Sequence, residues 1–182
     1  MEHHSGVTLS SFDIGEVNMC LVKLHFDQNG KMSVLAKEKL NLRKRKRNGD
    51  YVKSQTLLES VTRLVEYFQS DSGKVYLDCD EPLVENQAAA KQRFKCLATS
   101  LTTLLAWEGL PVAVCNAMDR YRYFNIYSQV YAQRKRNSIK TCEELMAREG
   151  IPESEWKTPG KLDDIADAIL QGYVYYKMHY SK

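Results

Sequence analysis

Hydrophobic and polar positions change period along this chain. Near the start the pattern is that of strands. Residues 7–14, VTLSSFDI, bring β-formers and a mostly apolar end before Gly15, and residues 19–26, MCLVKLHF, form a second such run. Asp27-Gln28-Asn29-Gly30 has turn chemistry, because Asn-Gly tolerates positive φ, and residues 31–37, KMSVLAK, read as the returning strand. The chain is therefore expected to open with a three-stranded antiparallel meander. Residues 40–53 are polar and basic and read as a loop.

The period then becomes helical. Leu57, Val61, Leu64, Val65 and Phe68 share one face of a helix predicted over 54–69, with Ser54 as its N-cap and Asp71-Ser72-Gly73 as its stop. Residues 74–79, KVYLDC, and 82–85, PLVE, both look extended, and the segment ending at Glu85 is expected to be the buried strand. Ala88 to Trp107 reads as a long helix, with Phe94, Leu97, Leu101, Leu104 and Leu105 giving apolar surface for a core and a partner helix. PVAVC at 111–115 reads as a short buried strand. The Tyr-rich stretch 118–132 reads as loop or irregular helix, 133–149 as a basic helix, 150–160 as a connector and 162–178 as the last helix. Alternating strands and helices of this kind predict an α/β layer architecture.

Composition narrows the class. With 182 residues, 43% hydrophobic and 27% charged, the chain fits one domain spanning 1–182, with residues 1–6 as a flexible tail, and not a disordered, collagen-like or coiled-coil protein. No run approaches the roughly 18 apolar residues of a membrane span, and MEHHSGVT lacks the apolar centre of a secretion signal. Cys20, Cys79, Cys96, Cys115 and Cys142 are scattered and form no CxxC pair. They read as free thiols of an intracellular, reducing compartment and not as a zinc site.

Net charge is only +3, but the charges are segregated. Arg43, Lys44, Arg45, Lys46 and Arg47 form one basic run, and Arg134, Lys135 and Arg136 a second, with Lys140 close behind. Carboxylates gather at 78–85 and at Asp163, Asp164 and Asp167. On the last helix Leu162, Ile165, Ala166, Ile169 and Tyr173 centre on one side, and the three aspartates lie opposite within an arc of roughly 100°. Acidic residues at a helix start also simply complement its dipole. Asp13 is harder to explain that way: it is a charge in a strand-like run, and a lone carboxylate is costly to bury. Glu85 ends a short apolar strand. Brought together, Asp13, Glu85, Asp164 and Asp167 would repel one another unless cations sat among them. Hard oxygen donors suit Mg²⁺ or Mn²⁺, and two such ions roughly 4 Å apart can hold a phosphodiester for attack by water.

The order SFDIG with Asn18, then LVENQ, RKRNSIK and KLDDIADA resembles the RuvC-like Holliday junction resolvases, most closely their poxvirus branch, within the RNase H-like superfamily. The motif at 161–168 is the most specific of these. The resemblance, covering about residues 9–176, implies an RNase H-like fold: a mixed five-stranded sheet, the meander plus parallel strands, flanked by helices. It implies a magnesium-dependent endonuclease acting as a homodimer on four-way DNA junctions, with paired symmetric nicks. On the motif match Asp13, Glu85, Asp164 and Asp167 are the metal-binding carboxylates, Asp163 is an additional candidate ligand, and the catalytic lysine falls on Lys135 or, alternatively, Lys140. A viral source would place the protein in the host cytoplasm.

For DNA, Arg134, Lys135, Arg136 and Lys140 lie on or near one helix, and Arg43, Lys44 and Arg45 can reach a duplex arm through phosphates. Tyr121, Tyr123, Phe124 and Tyr127 can stack on unpaired bases or pack in the core or a dimer interface. An actin-like ATP-binding module would need a second phosphate loop, which the chain lacks. Another RNase H-like nuclease acting on branched DNA or RNA–DNA hybrids would share the same carboxylates, and a non-catalytic junction-binding protein would have no use for them.

Overall fold

The computed structural model describes residues 6–44, 50, 55–87, 92–160 and 162–181. The predicted meander is present as β1 (Gly6–Asp13), β2 (Met19–Asp27) and β3 (Met32–Leu40). Its tight turn closes with Gly30 N–H donating to the Asp27 carbonyl at 2.9 Å, with Gly30 at φ 74°. Two further strands, β4 (Glu81–Glu85) and β5 (Ala113–Cys115), complete a five-stranded sheet of order β3-β2-β1-β4-β5. β1 is antiparallel to β2 but parallel to β4, which is parallel to β5.

Helices cover both faces. Alternation along β1 sends Leu9 to one face and Phe12 to the other. The Phe12 face is covered by α1 (Leu57–Gln69) and α3 (Gln92–Trp107) through Leu64, Phe68, Leu97, Leu101 and Leu105. The Leu9 face is covered by α5 (Tyr131–Glu149) and α7 (Asp163–His179). β2 therefore carries apolar side chains on both faces, which is why MCLVKLHF reads as a nearly unbroken apolar run. The short helices α2 (Asp71–Lys74), α4 (Ala117–Tyr123) and α6 (Glu153–Trp156) fill the connections.

Several expectations change. Residues 74–79 are not a strand: Ser70 caps α2, and Tyr76, Leu77 and Asp78 continue in hydrogen-bonded turns that bury Tyr76 against Phe12. Ser54 lies outside the described residues, and the N-cap of α1 is Thr56, which forms a reciprocal capping box with Glu59. The tail at 1–5, most of the basic loop and the predicted first turn of the long helix at 88–91 also lie outside them. The Tyr-rich stretch resolves into α4 and a loop. On α3 the apolar stripe is absorbed by the core, while Trp107 at its end is 86% exposed. Among the described residues no helix is long and apolar enough to cross a membrane, and all five cysteines are free.

Candidate metal centre

Asp13 and Glu85 are the last residues of β1 and β4, neighbouring parallel strands with Phe12 opposite Val84. Strand alternation puts Asp13 on the same face as Leu9, and Glu85 on the same face as Leu83. That is the face α7 crosses. Gln171 of α7 donates to Ser11 Oγ at 3.1 Å, and Gly172 lets the helix approach: a Cβ there would stand 2.6 Å from Leu24 Cδ1. The first turns of α7 thus bring Asp164 and Asp167 over the two strand ends.

All four carboxylates line one cleft of about 1050 Å³. Lys135, Arg134 and Arg43 line it too, together with Lys95, Tyr121, Tyr127 and Tyr131. Burial, the Glu85 charge and the Asp167 charge push the Asp13 carboxyl well above the usual carboxylate range, against the pull of Arg120. Burial likewise raises Asp167, again with Arg120 opposing.

Arg120 has no counterpart in the sequence reading. Its side chain is 6% exposed; Nη1 donates to Glu85 Oε2 at 2.8 Å and Nη2 lies 3.4 Å from Asp167 Oδ2. α4 delivers it, capped by Asn116, whose side chain accepts from Met118 N–H at 2.9 Å. Within MDRYRYF nothing distinguishes Arg120 from Arg122, which is exposed and paired within its own helix to Asp119. Only the folded position of α4 separates them.

The other candidates divide. Asp163 is buried and ion-pairs with Lys135, so it faces α5 and does not line the cleft. Lys135 also stands 3.8 Å from Asp164 Oδ1. Burial opposes its charge, but Tyr131 and the Asp164 and Asp167 carboxylates prevail and hold its pKa above the ordinary lysine value. Lys140 is exposed, 3.7 Å from Glu144, and does not line the cleft. Arg136 points away from it as well, to Gln133 Oε1 at 2.9 Å. Lys44 pairs with Glu59 at 2.7 Å, and Arg45 lies outside the described residues. Arg134 donates to the Ser128 and Gln129 carbonyls at 2.7 and 3.2 Å and stands over the rings of Tyr127 and Tyr131. It therefore organises the aromatic loop as well as lining the cleft. Of the aromatic candidates, Tyr121 and Tyr127 face the cleft, whereas Tyr123 and Phe124 pack toward Tyr173. A fifth acid in the cleft, Glu16, is already neutralised by Arg93 and accepts from Ser60 Oγ at 3.1 Å.

The donor set fits a divalent ion. It consists of hard oxygens, and Asp164 Oδ2 and Asp167 Oδ1 are buried without a hydrogen-bond partner. Among the described residues, however, no group of three or more His, Cys, Asp or Glu side chains is preassembled as a metal cage. Arg120 stands between Glu85 and Asp167 instead.

A mixed five-stranded sheet, acidic residues at the ends of two parallel strands and an acidic helix start laid across them define an RNase H-like architecture of the RuvC type. Comparison with known proteins specifies it further. The chain belongs to the family described as the poxvirus A22 protein, whose model matches residues 7–178. It is similar to the fowlpox virus resolvase crystallised with substrate Holliday junction DNA (TM-score 0.67, 17% identity, 95% of this chain and 99% of that one). It is also similar to yeast mitochondrial Holliday junction resolvase Ydc2 (TM-score 0.66, 16% identity, 95% and 82%). Thermus thermophilus RuvC with its junction substrate gives a TM-score of 0.59 at 15% identity, covering 94% and 96%. At these identities the likeness establishes the fold. No curated protein sequence matches the chain.

Proposed function

We propose that this chain is a structure-specific endonuclease that resolves four-way DNA junctions by paired symmetric nicks, working as a homodimer in the host cytoplasm with 1–182 as one nuclease domain. The observation that carries the reading is the meeting of Asp13, Glu85, Asp164 and Asp167 in one cleft, in a chain of the poxvirus A22 family whose similar structures include resolvases bound to junction DNA. Free cysteines suit a reducing compartment.

The four carboxylates would hold Mg²⁺, with two ions as the expected number and Mn²⁺ as a substitute. Bound there, the metal supplies Lewis acidity toward the phosphodiester and acidifies the attacking water. The protein's own groups do the rest. Lys135, kept protonated, can offset charge developing on the scissile phosphate. Arg43 and Lys95 line the same cleft and can hold the flanking backbone, which reads shape and charge and not base sequence. Tyr127 and Tyr131, 55% and 63% exposed, offer faces on which unpaired bases at a junction centre can stack. A C2 dimer presents two such clefts to a junction that is itself two-fold.

The test is a labelled four-way junction incubated with the purified protein in Mg²⁺ or EDTA, beside linear duplex and RNA–DNA hybrid. The expected result is metal-dependent nicks at symmetry-related positions of the junction, with both linear substrates spared. Preferential cutting of the hybrid would make the protein a different RNase H-like nuclease. Tight binding with no cutting in any metal would make it a binding module.

A further inference from the structure

We propose that Arg120 is a resident occupant of the ion site: its guanidinium holds Glu85 and Asp167 together in the ion-free protein, and it must release Asp167 when a divalent ion enters. The inference rests on the reading of the four carboxylates as an ion site, and deepens it.

Four observations support it. Arg120 bridges carboxylates of both a strand and the last helix, reaching Glu85 at 2.8 Å and Asp167 at 3.4 Å. It is 5% exposed, so its charge is balanced by those carboxylates and not by water. Among the described residues the acids are gathered but no three of them form a cage, as expected where an organic cation takes part of the space an ion would use. The two links are also unequal. The Glu85 contact has hydrogen-bond length, whereas the Asp167 contact is longer and leaves Asp167 Oδ1 without a partner. Asp167 is thus the carboxylate readiest to exchange the guanidinium for an ion, while Glu85 keeps Arg120 anchored.

Such an occupant has two effects. It lets four like charges fold together before metal arrives, and it lowers apparent ion affinity, because the ion must displace an existing ion pair. The site would load only at ion concentrations sufficient to displace it.

The experiment is a Mn²⁺ titration without DNA, read by calorimetry and by the shift of melting temperature, on the wild type, Arg120→Gln and Arg120→Lys. Arg120→Gln is expected to bind Mn²⁺ tighter by about tenfold or more, the worth of one hydrogen bond to a charged group. Its ion-free form should melt lower and its Mn²⁺-induced shift should be larger. Arg120→Lys keeps the charge but cannot span both carboxylates, so its affinity should fall between the other two. It also keeps the test open if Arg120→Gln does not fold. Folded variants that bind Mn²⁺ no tighter than the wild type, or more weakly, overturn the inference, because Arg120 would then be a fixed brace of the loaded site. Failure of wild type and variants alike to bind Mn²⁺ overturns the ion-site reading beneath it as well.

Discussion

Asp164→Asn should reduce junction cutting by roughly a thousandfold, since an ion of this kind contributes several kcal/mol to the transition state and each 1.4 kcal/mol is tenfold. The same holds for Asp13→Asn. Both replacements keep the shape of the side chain and remove its capacity to carry a negative charge. Asp13 lies in a cluster whose members repel one another, so the melting temperature of its variant should stay level or rise, and Asp164 gives up only a 3.8 Å contact with Lys135, which keeps its pairing with Asp163. Junction affinity in EDTA should persist or increase, because one fewer carboxylate faces the DNA phosphates. Gel-shift titration, a melting curve and a cleavage time course separate the possibilities. Loss of folding in both variants would assign the carboxylates a structural role instead.

The largest effect on stability is expected at Trp156. This residue ends α6, is 1% exposed and packs in the cluster shared by α5, α7 and the meander. The segment is fastened from outside as well: Lys37 Nζ donates to the Ser154 carbonyl at 2.6 Å, and Lys157 stands 5.3 Å from the indole centroid. Trp156→Ala would leave a large cavity at the base of the connector that leads into α7. The expected cost is about 3–5 kcal/mol, with a fall in melting temperature on the order of 10 °C. Because the connector positions the acidic start of α7, cutting should be lost together with the fold and recover in part on cooling. A cost below about 1 kcal/mol, measured by denaturant titration, would mean that the indole is not a core residue.

The features legible in the sequence were those fixed by local period. Asp13 and Glu85 stand at the ends of apolar strands, and Asp164 and Asp167 at the start of an apolar helix, so chain topology alone tends to gather them where parallel strands end. Features that depend on a distant partner were not legible. Val75, Tyr76 and Leu77 are good β-formers, yet the cap at Ser70 and the pocket beside Phe12 turn them into hydrogen-bonded turns. Asp163 sits in the same acidic arc as Asp164, but α5 closes over that side and supplies Lys135 as its partner. The helix wheel places α7's aspartates opposite its apolar face without saying that a second helix covers one of them. Arg120 is the extreme case: its role exists only because α4 lodges beside the ends of β4 and α7, two elements remote from it in sequence.

Everything proposed for this protein depends on acids from two strands and a helix sharing a divalent ion. Anomalous diffraction from crystals soaked in Mn²⁺ tests it most directly. Peaks are expected in the cleft within coordination distance of Asp13, Glu85, Asp164 and Asp167, with the guanidinium of Arg120 moved off Asp167. Saturating Mn²⁺ with no peak among these four carboxylates, and Arg120 still bridging Glu85 and Asp167, would contradict it.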